Sequence, residues 1–155
     1  MNTKIPKFIC PLITVADIKI SRNFYENILE QTVETDFGRN VSFGGFAIHL
    51  QSHFKTLIDN KEIVTGKNNF ELYFEYDNLD QIREKLKSEN VEFVHDLQEQ
   101  PWKQLVIRFY DPDKNIIEIG ESMEHLVVRL RQQNYSAEEI VKMTGLEKEF
   151  IEKVK

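Results

Sequence analysis

The segment Asp111-Pro112-Asp113-Lys114-Asn115-Ile116-Ile117-Glu118-Ile119-Gly120 is a polar turn running straight into a short apolar strand that carries one carboxylate. Proline presets the backbone for the first corner of such a turn, and the flanking aspartates can bond nearby amide groups. Side chains of a strand alternate, so Ile116, Glu118 and Gly120 share one face while Asn115, Ile117 and Ile119 share the other. If the first face is a wall of a cavity, Glu118 points into it; if it faces water, Glu118 is an ordinary solvated acid. The other candidates for chemistry also carry two readings each. Cys10 is either a ligand or a small buried hydrophobe, and His49 is either a ligand or a hydrogen-bonded core residue. Glu71 and Glu118 are solvated, or held in ion pairs with Arg39 or Arg108, or close together and dry. In that last case their repulsion raises the pKa of one of them and suits it to acid–base work. Trp102 and the set Phe43, Phe46, Tyr73, Phe74 and Tyr110 are core or line an apolar pocket. Arg108 and His95 are the polar candidates for holding an anionic or oxygenated substrate.

The elements that must position these residues come in a repeated order. Lys7 to Ala16 is a run of apolar and β-branched residues that predicts a strand, with Pro11 making it an edge or irregular one. Asp17 or Ser21 caps a following helix whose apolar positions Ile18, Phe24, Tyr25, Ile28 and Leu29 approximate one face. Three short strand-like runs follow, 32–37, 40–43 and 46–51, divided by Gly38 and by Gly44-Gly45. Residues 52–68 are polar and weakly patterned and predict a linker with at most a short helix. The order then recurs: a strand over 70–76, a helix over 79–88 with Leu79, Ile82 and Leu86 on one face, and strands over 91–96, 103–110 and 115–120. Two copies of a strand-helix-three-strand unit are the main organisational signal. The expected division is a first βαβββ module over 1–51, a linker over 52–68, a second module over 69–121 and a C-terminal helical extension over 122–155.

The chain has 155 residues, 41% of them hydrophobic and 30% charged, which suits one compact domain or two half-domains and excludes a disordered chain. A formal charge of -6 disfavours nucleic acid or an anionic membrane as partner, because both reward clustered Lys and Arg. One cysteine precludes an intrachain disulfide and fits a reducing cytoplasm. No basic region followed by a long apolar run opens the sequence, so neither a signal peptide nor a membrane span is expected.

The segment Glu71-Leu72-Tyr73-Phe74-Glu75-Tyr76-Asp77-Asn78-Leu79-Asp80, with Pro101-Trp102 and the Asp111 to Glu118 stretch, resembles the second module of the vicinal oxygen chelate superfamily. Thr14-Val15-Ala16-Asp17, Ser21 and Phe24-Tyr25 resemble its first. That superfamily includes glyoxalase I, extradiol dioxygenases, fosfomycin resistance proteins and metal-free bleomycin-binding proteins, and the resemblance covers about residues 7 to 121. It implies an α+β fold of two βαβββ modules forming a cupped half-barrel, with metal ligands from the first and fourth strands of each module. The matching positions are Cys10, His49, Glu71 and Glu118. This set departs from the superfamily's pattern, which usually has histidine or glutamine in place of Cys10 and histidine in place of Glu71. With one histidine among four positions, a ring-cleaving iron site is not expected. The resemblance implies instead a divalent zinc, nickel, cobalt or manganese ion acting as Lewis acid, with Glu71 or Glu118 as the base that moves a proton next to a carbonyl. Tyr73, Trp102 and Arg108 are the expected substrate-pocket residues.

Residues 122–155 lie outside the repeat. Met123, Leu126, Val127 and Leu130 have helical spacing, Ser136 with Glu139 makes a capping box, and Gly145 ends that helix before Leu146 to Val154. The pattern around Gly145 faintly resembles a helix-turn-helix, but its acids outnumber its lysines from Ser136 onward, which opposes DNA binding. A packing or dimer-forming appendage is expected. Three functions follow: a glyoxalase-like, metal-dependent lyase, isomerase or group-transfer enzyme; a metal-free small-molecule-binding protein of the bleomycin-binding type; and, third, a regulatory module. A cytoplasmic homodimer acting on a small molecule, with no nucleic-acid or membrane partner, is the common expectation.

Overall fold

The computed structural model describes residues 5–155. The chain is α+β and falls into two units, one reaching to Lys67 and including Pro112–Lys114, the other made of Asn68–Asp111 and Asn115–Lys155. Each contains one βαβββ repeat and one four-stranded sheet.

In the first unit β1 (Leu12–Val15) is followed by α1 (Ile18–Arg22), then β2 (Thr35–Asp36), β3 (Asn40–Ser42), β4 (Ala47–Leu50) and α2 (Gln51–Leu57). The sheet runs β1-β4-β3-β2, with β1 parallel to β4 and the rest antiparallel. The expected strand over 7–16 is shorter than its composition suggested, because Pro11 has no amide to donate. Pairing begins at its carbonyl, which accepts from Ala47 N at 3.0 Å, and Ile5, Phe8 and Ile9 upstream are exposed. Cys10 consequently precedes β1. Asp17 caps α1 by accepting from Lys19 N and Ile20 N. The helix then widens into a π-helical turn over Asn23–Ile28, closed by Leu29 N donating to Phe24 O at 3.1 Å. Widening lets adjacent Phe24 and Tyr25 both turn inward with Ile28. Tyr25, Phe43 and Phe46 pack with ring centroids 4.9–5.7 Å apart, so Phe43 and Phe46 belong to the core. Asp113 completes this unit: its carboxylate accepts from Ala16 N at 2.8 Å and Ser21 Oγ at 3.2 Å.

The second unit contains β5 (Glu71–Glu75), α3 (Leu79–Ser88), β6 (Phe93–Glu99), β7 (Leu105–Tyr110) and β8 (Ile116–Gly120). Its sheet runs β5-β8-β7-β6, with β5 parallel to β8. Asn78 caps α3 by accepting from Gln81 N, and Leu72, Leu86, Ile107, Phe109, Ile117 and Ile119 form the apolar layer. Strand β6 carries register shifts on either side of His95. It starts two residues later and ends three residues beyond the segment that alternation alone predicted.

The extension forms α4 (Met123–Gln132), α5 (Ala137–Thr144) and α6 (Lys148–Lys153). Ser136 and Glu139 make the expected capping box, and Gly145 ends α5 at φ 75°, a conformation that costs glycine little. Leu126, Val127, Leu130, Ile140 and Ile151 bury a core of their own. Arg131 donates to the carbonyls of Ile151, at 2.7 Å, and Val154 and so closes the end of α6. The extension is locked to the sheet by Glu121, which is fully buried. Its carboxylate accepts from Leu105 N at 2.9 Å, Arg129 Nη2 at 2.6 Å and Nε at 3.0 Å, and meets His125 Nδ1 at 2.9 Å. Arg129 also donates to Lys103 O. Removing one partner of a buried pair strands the other charge, so Glu121→Ala is expected to cost roughly 3–5 kcal/mol in urea denaturation. The exposed neighbour Glu124→Ala, in the same assay, should stay within about 0.5 kcal/mol of the parent.

Candidate functional site

The registers of the second sheet place four side chains in one row across all its strands. Tyr73 on β5 is paired with Glu118 on β8, Glu118 with Arg108 on β7, and Arg108 with His95 on β6. Glu71, two residues before Tyr73, lies on the same face. Arg108 reaches along this row: Nη2 forms an ion pair with Glu118 Oε2, and Nε donates to Glu71 Oε2 at 3.1 Å. Nη1 lies 3.3 Å from His95 Nε2 and 3.4 Å from Gln100 Oε1. His95 Nδ1 lies 2.8 Å from the carbonyl of Asp96, so that nitrogen carries the proton and Nε2 offers its lone pair to the guanidinium. Glu118 is 4% exposed, and Oε2 is buried with the ion pair but no well-aligned hydrogen bond. Of the alternatives open in the sequence, the ion pair with Arg108 is the one realised for both glutamates.

A second chain of polar groups adjoins the row. Trp102 Nε1 donates to Gln104 Oε1 at 2.9 Å, Gln104 Nε2 donates to Tyr73 Oη and to the carbonyl of Glu121, each at 2.8 Å, and Tyr73 Oη donates to Glu75 at 3.0 Å. Burial, with Glu75 beside it, pushes the Tyr73 phenol up to about 12, so it stays neutral. Trp102 and Tyr73 are thus joined through Gln104, a buried residue that the sequence did not single out. Gly120 leaves room for that amide: a Cβ there would fall 2.6 Å from Gln104 Nε2 and 3.3 Å from the Tyr73 ring.

In the first unit His49 is buried on β4. Asn40, its partner across the β3–β4 ladder, donates its amide to Nδ1 at 3.0 Å, which leaves the proton on Nε2, 2.8 Å from His53 Nδ1. Burial and then the neighbouring His53 hold the His49 pKa below its ordinary value. His53 was also missed; its signal is the four-residue spacing across the β4–α2 junction. Cys10 is half-buried ahead of β1.

Among the described residues no three His, Cys, Asp or Glu side chains are grouped so as to hold a metal ion. Glu71 and Glu118, the two carboxylates of the expected ligand set that lie in the second unit, are already bound to an internal cation. As arranged, this donor set does not fit a divalent ion. Among the described residues no helix is long and apolar enough to cross a membrane.

Residues 8–124 match the family model of the glyoxalase-like domain, and the chain belongs to that family. It is similar to a protein of unknown function from Agrobacterium tumefaciens str. C58, with 36% identity and a TM-score of 0.70 over 79% of this chain and 98% of that one. A protein from the mobile metagenome of Vibrio pseudocholerae is 25% identical with a TM-score of 0.56, over 78% and 98% of the two chains. The lactoylglutathione lyase of Agrobacterium tumefaciens shares the fold at 15% identity and a TM-score of 0.59, over 76% and 96%. No functionally curated protein matches the chain.

Two outcomes follow. Gly120→Ala is expected to destabilise by roughly 1–3 kcal/mol, read by denaturant titration, because the added methyl group displaces the Gln104 amide. The folded-state pKa of His49 lies below its unfolded value, so stability contributed by the neutral ring is present above about pH 6.5 and is lost as pH falls from there toward the folded pKa. Thermal melts between about pH 7.5 and 5.5 should show this loss, and His49→Gln should flatten it while His53 remains.

Proposed function

We propose that this member of the glyoxalase-like family is a metal-free small-molecule-binding protein of the bleomycin-binding type, with the Tyr73, Glu118, Arg108 and His95 row as its ligand face. The observation that carries this reading is the engagement of both Glu71 and Glu118 by Arg108. A carboxylate paired with a guanidinium is spent neither on a metal nor on taking a proton from carbon. The half-exposed Tyr73 ring and the Trp102 indole supply apolar contact next to fixed polar groups, the usual composition of a small-molecule site.

The metal-dependent lyase or isomerase reading draws its support from family membership. It requires Arg108 to leave the carboxylates before Glu118 or Glu71 can serve as ligand or base. We further propose a cytoplasmic homodimer without a nucleic-acid partner, in keeping with the acidic charge and single cysteine; light scattering of the purified chain measures the dimer.

Metal analysis of protein purified without chelator, with thermal shift against zinc, nickel, cobalt and manganese, tests the main proposal. A ligand that binds the folded state must stabilise it by mass action, so no stoichiometric metal and no shift is the expected result. One ion per chain, lost in Glu118→Gln, would establish the enzyme reading in its place.

A further inference from the structure

We propose that the groove between α4, α6 and the segment joining β5 to α3 is a second small-molecule site, in which His125 accepts a hydrogen bond from the hydroxyl of a neutral ligand of the phenol class. None of its residues belongs to the row around Arg108, so the proposal stands apart from the metal-free reading above.

The groove encloses about 610 Å³, within the size of small-molecule sites. Val128 on α4, with Phe150 and Val154 from the α6 side, makes its lining predominantly apolar, and all three are half-buried. His125 stands among them with one nitrogen already committed. Its Nδ1 lies 2.9 Å from Oε2 of the fully buried Glu121, a carboxylate that Arg129 also engages. A carboxylate so paired only accepts, so Nδ1 donates, and in the neutral ring Nε2 is left with its lone pair. Fixing one ring nitrogen in this way sets both the tautomer and the direction of the other. Nε2 has no partner among the described residues, and the His125 side chain, 43% exposed, is open to a ligand.

The other polar groups narrow what that ligand is. Asp77 and Glu124 line the groove with His125, so acceptors surround the place of the head group and repel an anion. Lys153, from α6, disfavours a cation over the apolar floor. A neutral hydroxyl answers an acceptor without bringing charge, and a planar ring attached to it meets Phe150 and the two valines. His125 and the whole of α6 lie beyond the residues matched by the family model, so this groove is a feature of the extension.

Isothermal titration of the full chain with 2-naphthol and with 2-methoxynaphthalene, its methyl ether, tests the proposal. Spectra of the valine methyl groups and of the imidazole nitrogens locate the probe. The expected result is one saturable naphthol site that shifts the Val128 and Val154 methyls and the Nε2 resonance of His125. The hydroxyl should favour naphthol over the ether by roughly 3–10-fold, the worth of one hydrogen bond. His125→Leu keeps the apolar lining and should bring naphthol down to the affinity of the ether. If that variant does not fold, the comparison of the two compounds on the parent, with the Nε2 shift, decides the matter. Equal affinities for the two compounds, no saturable binding, or naphthol that shifts the Trp102 indole in place of the groove valines would each overturn the proposal. None of these outcomes depends on metal uptake, so the two readings fail separately.

Discussion

An ionised carboxylate taken out of water must be met by a cation and by hydrogen-bond donors, since the desolvation cost otherwise exceeds what packing returns. Two glutamates three residues apart at the end of β8 impose this demand on the second unit, and it is met in two ways. Glu121 is surrounded: a backbone amide, a chelating guanidinium and an imidazole use both its oxygens, and the bond to Leu105 N ties it to the start of β7. Such a group is a fastening. Glu118 has its arginine but one poorly satisfied oxygen, and it sits on the face of the sheet where Tyr73 remains half exposed. The contrast separates the carboxylate that holds the extension from the one that lies on the half-exposed face of the sheet.

The parts of this structure that local chemistry decides were legible in the sequence. The capping box at Ser136, the αL glycine at 145, the helix over 79–88 and the Asp-Pro turn each depend on residues within one turn of one another. The Glu118 face was also readable, because period-two alternation needs only a few residues. What could not be read is which side chains meet across strands. The Arg108–Glu118 pair depends on the register of β7 against β8, and the His95–Arg108 pair on the irregularity of β6, which alternation by itself does not reveal. Gln104 and Glu121 were invisible for a different reason: a buried amide or acid looks like surface until the fold supplies its partners.

Family membership and site chemistry carry different weights here. The glyoxalase-like match accounts for the two repeats and ends at residue 124, so α5 and α6 lie wholly outside it, with a small core of their own. Within the matched region both strand-helix-three-strand repeats are present. On the second sheet the chain places an arginine and a histidine whose proton is fixed by a backbone carbonyl. A fold of this type hosts unrelated chemistries, and the particular side chains choose among them.

The bond from Ala16 to Asp113 spans 97 positions of sequence. The amino-terminal repeat is thus not closed by its own residues: its helix entrance waits for an aspartate in the turn between β7 and β8. At a synthesis rate of roughly 5–20 residues per second, several seconds separate the emergence of Ala16 from that of its partner. During that interval the nascent repeat lacks the acceptor that fixes its strand–helix junction, and a fragment cut after Lys67 would lack it permanently.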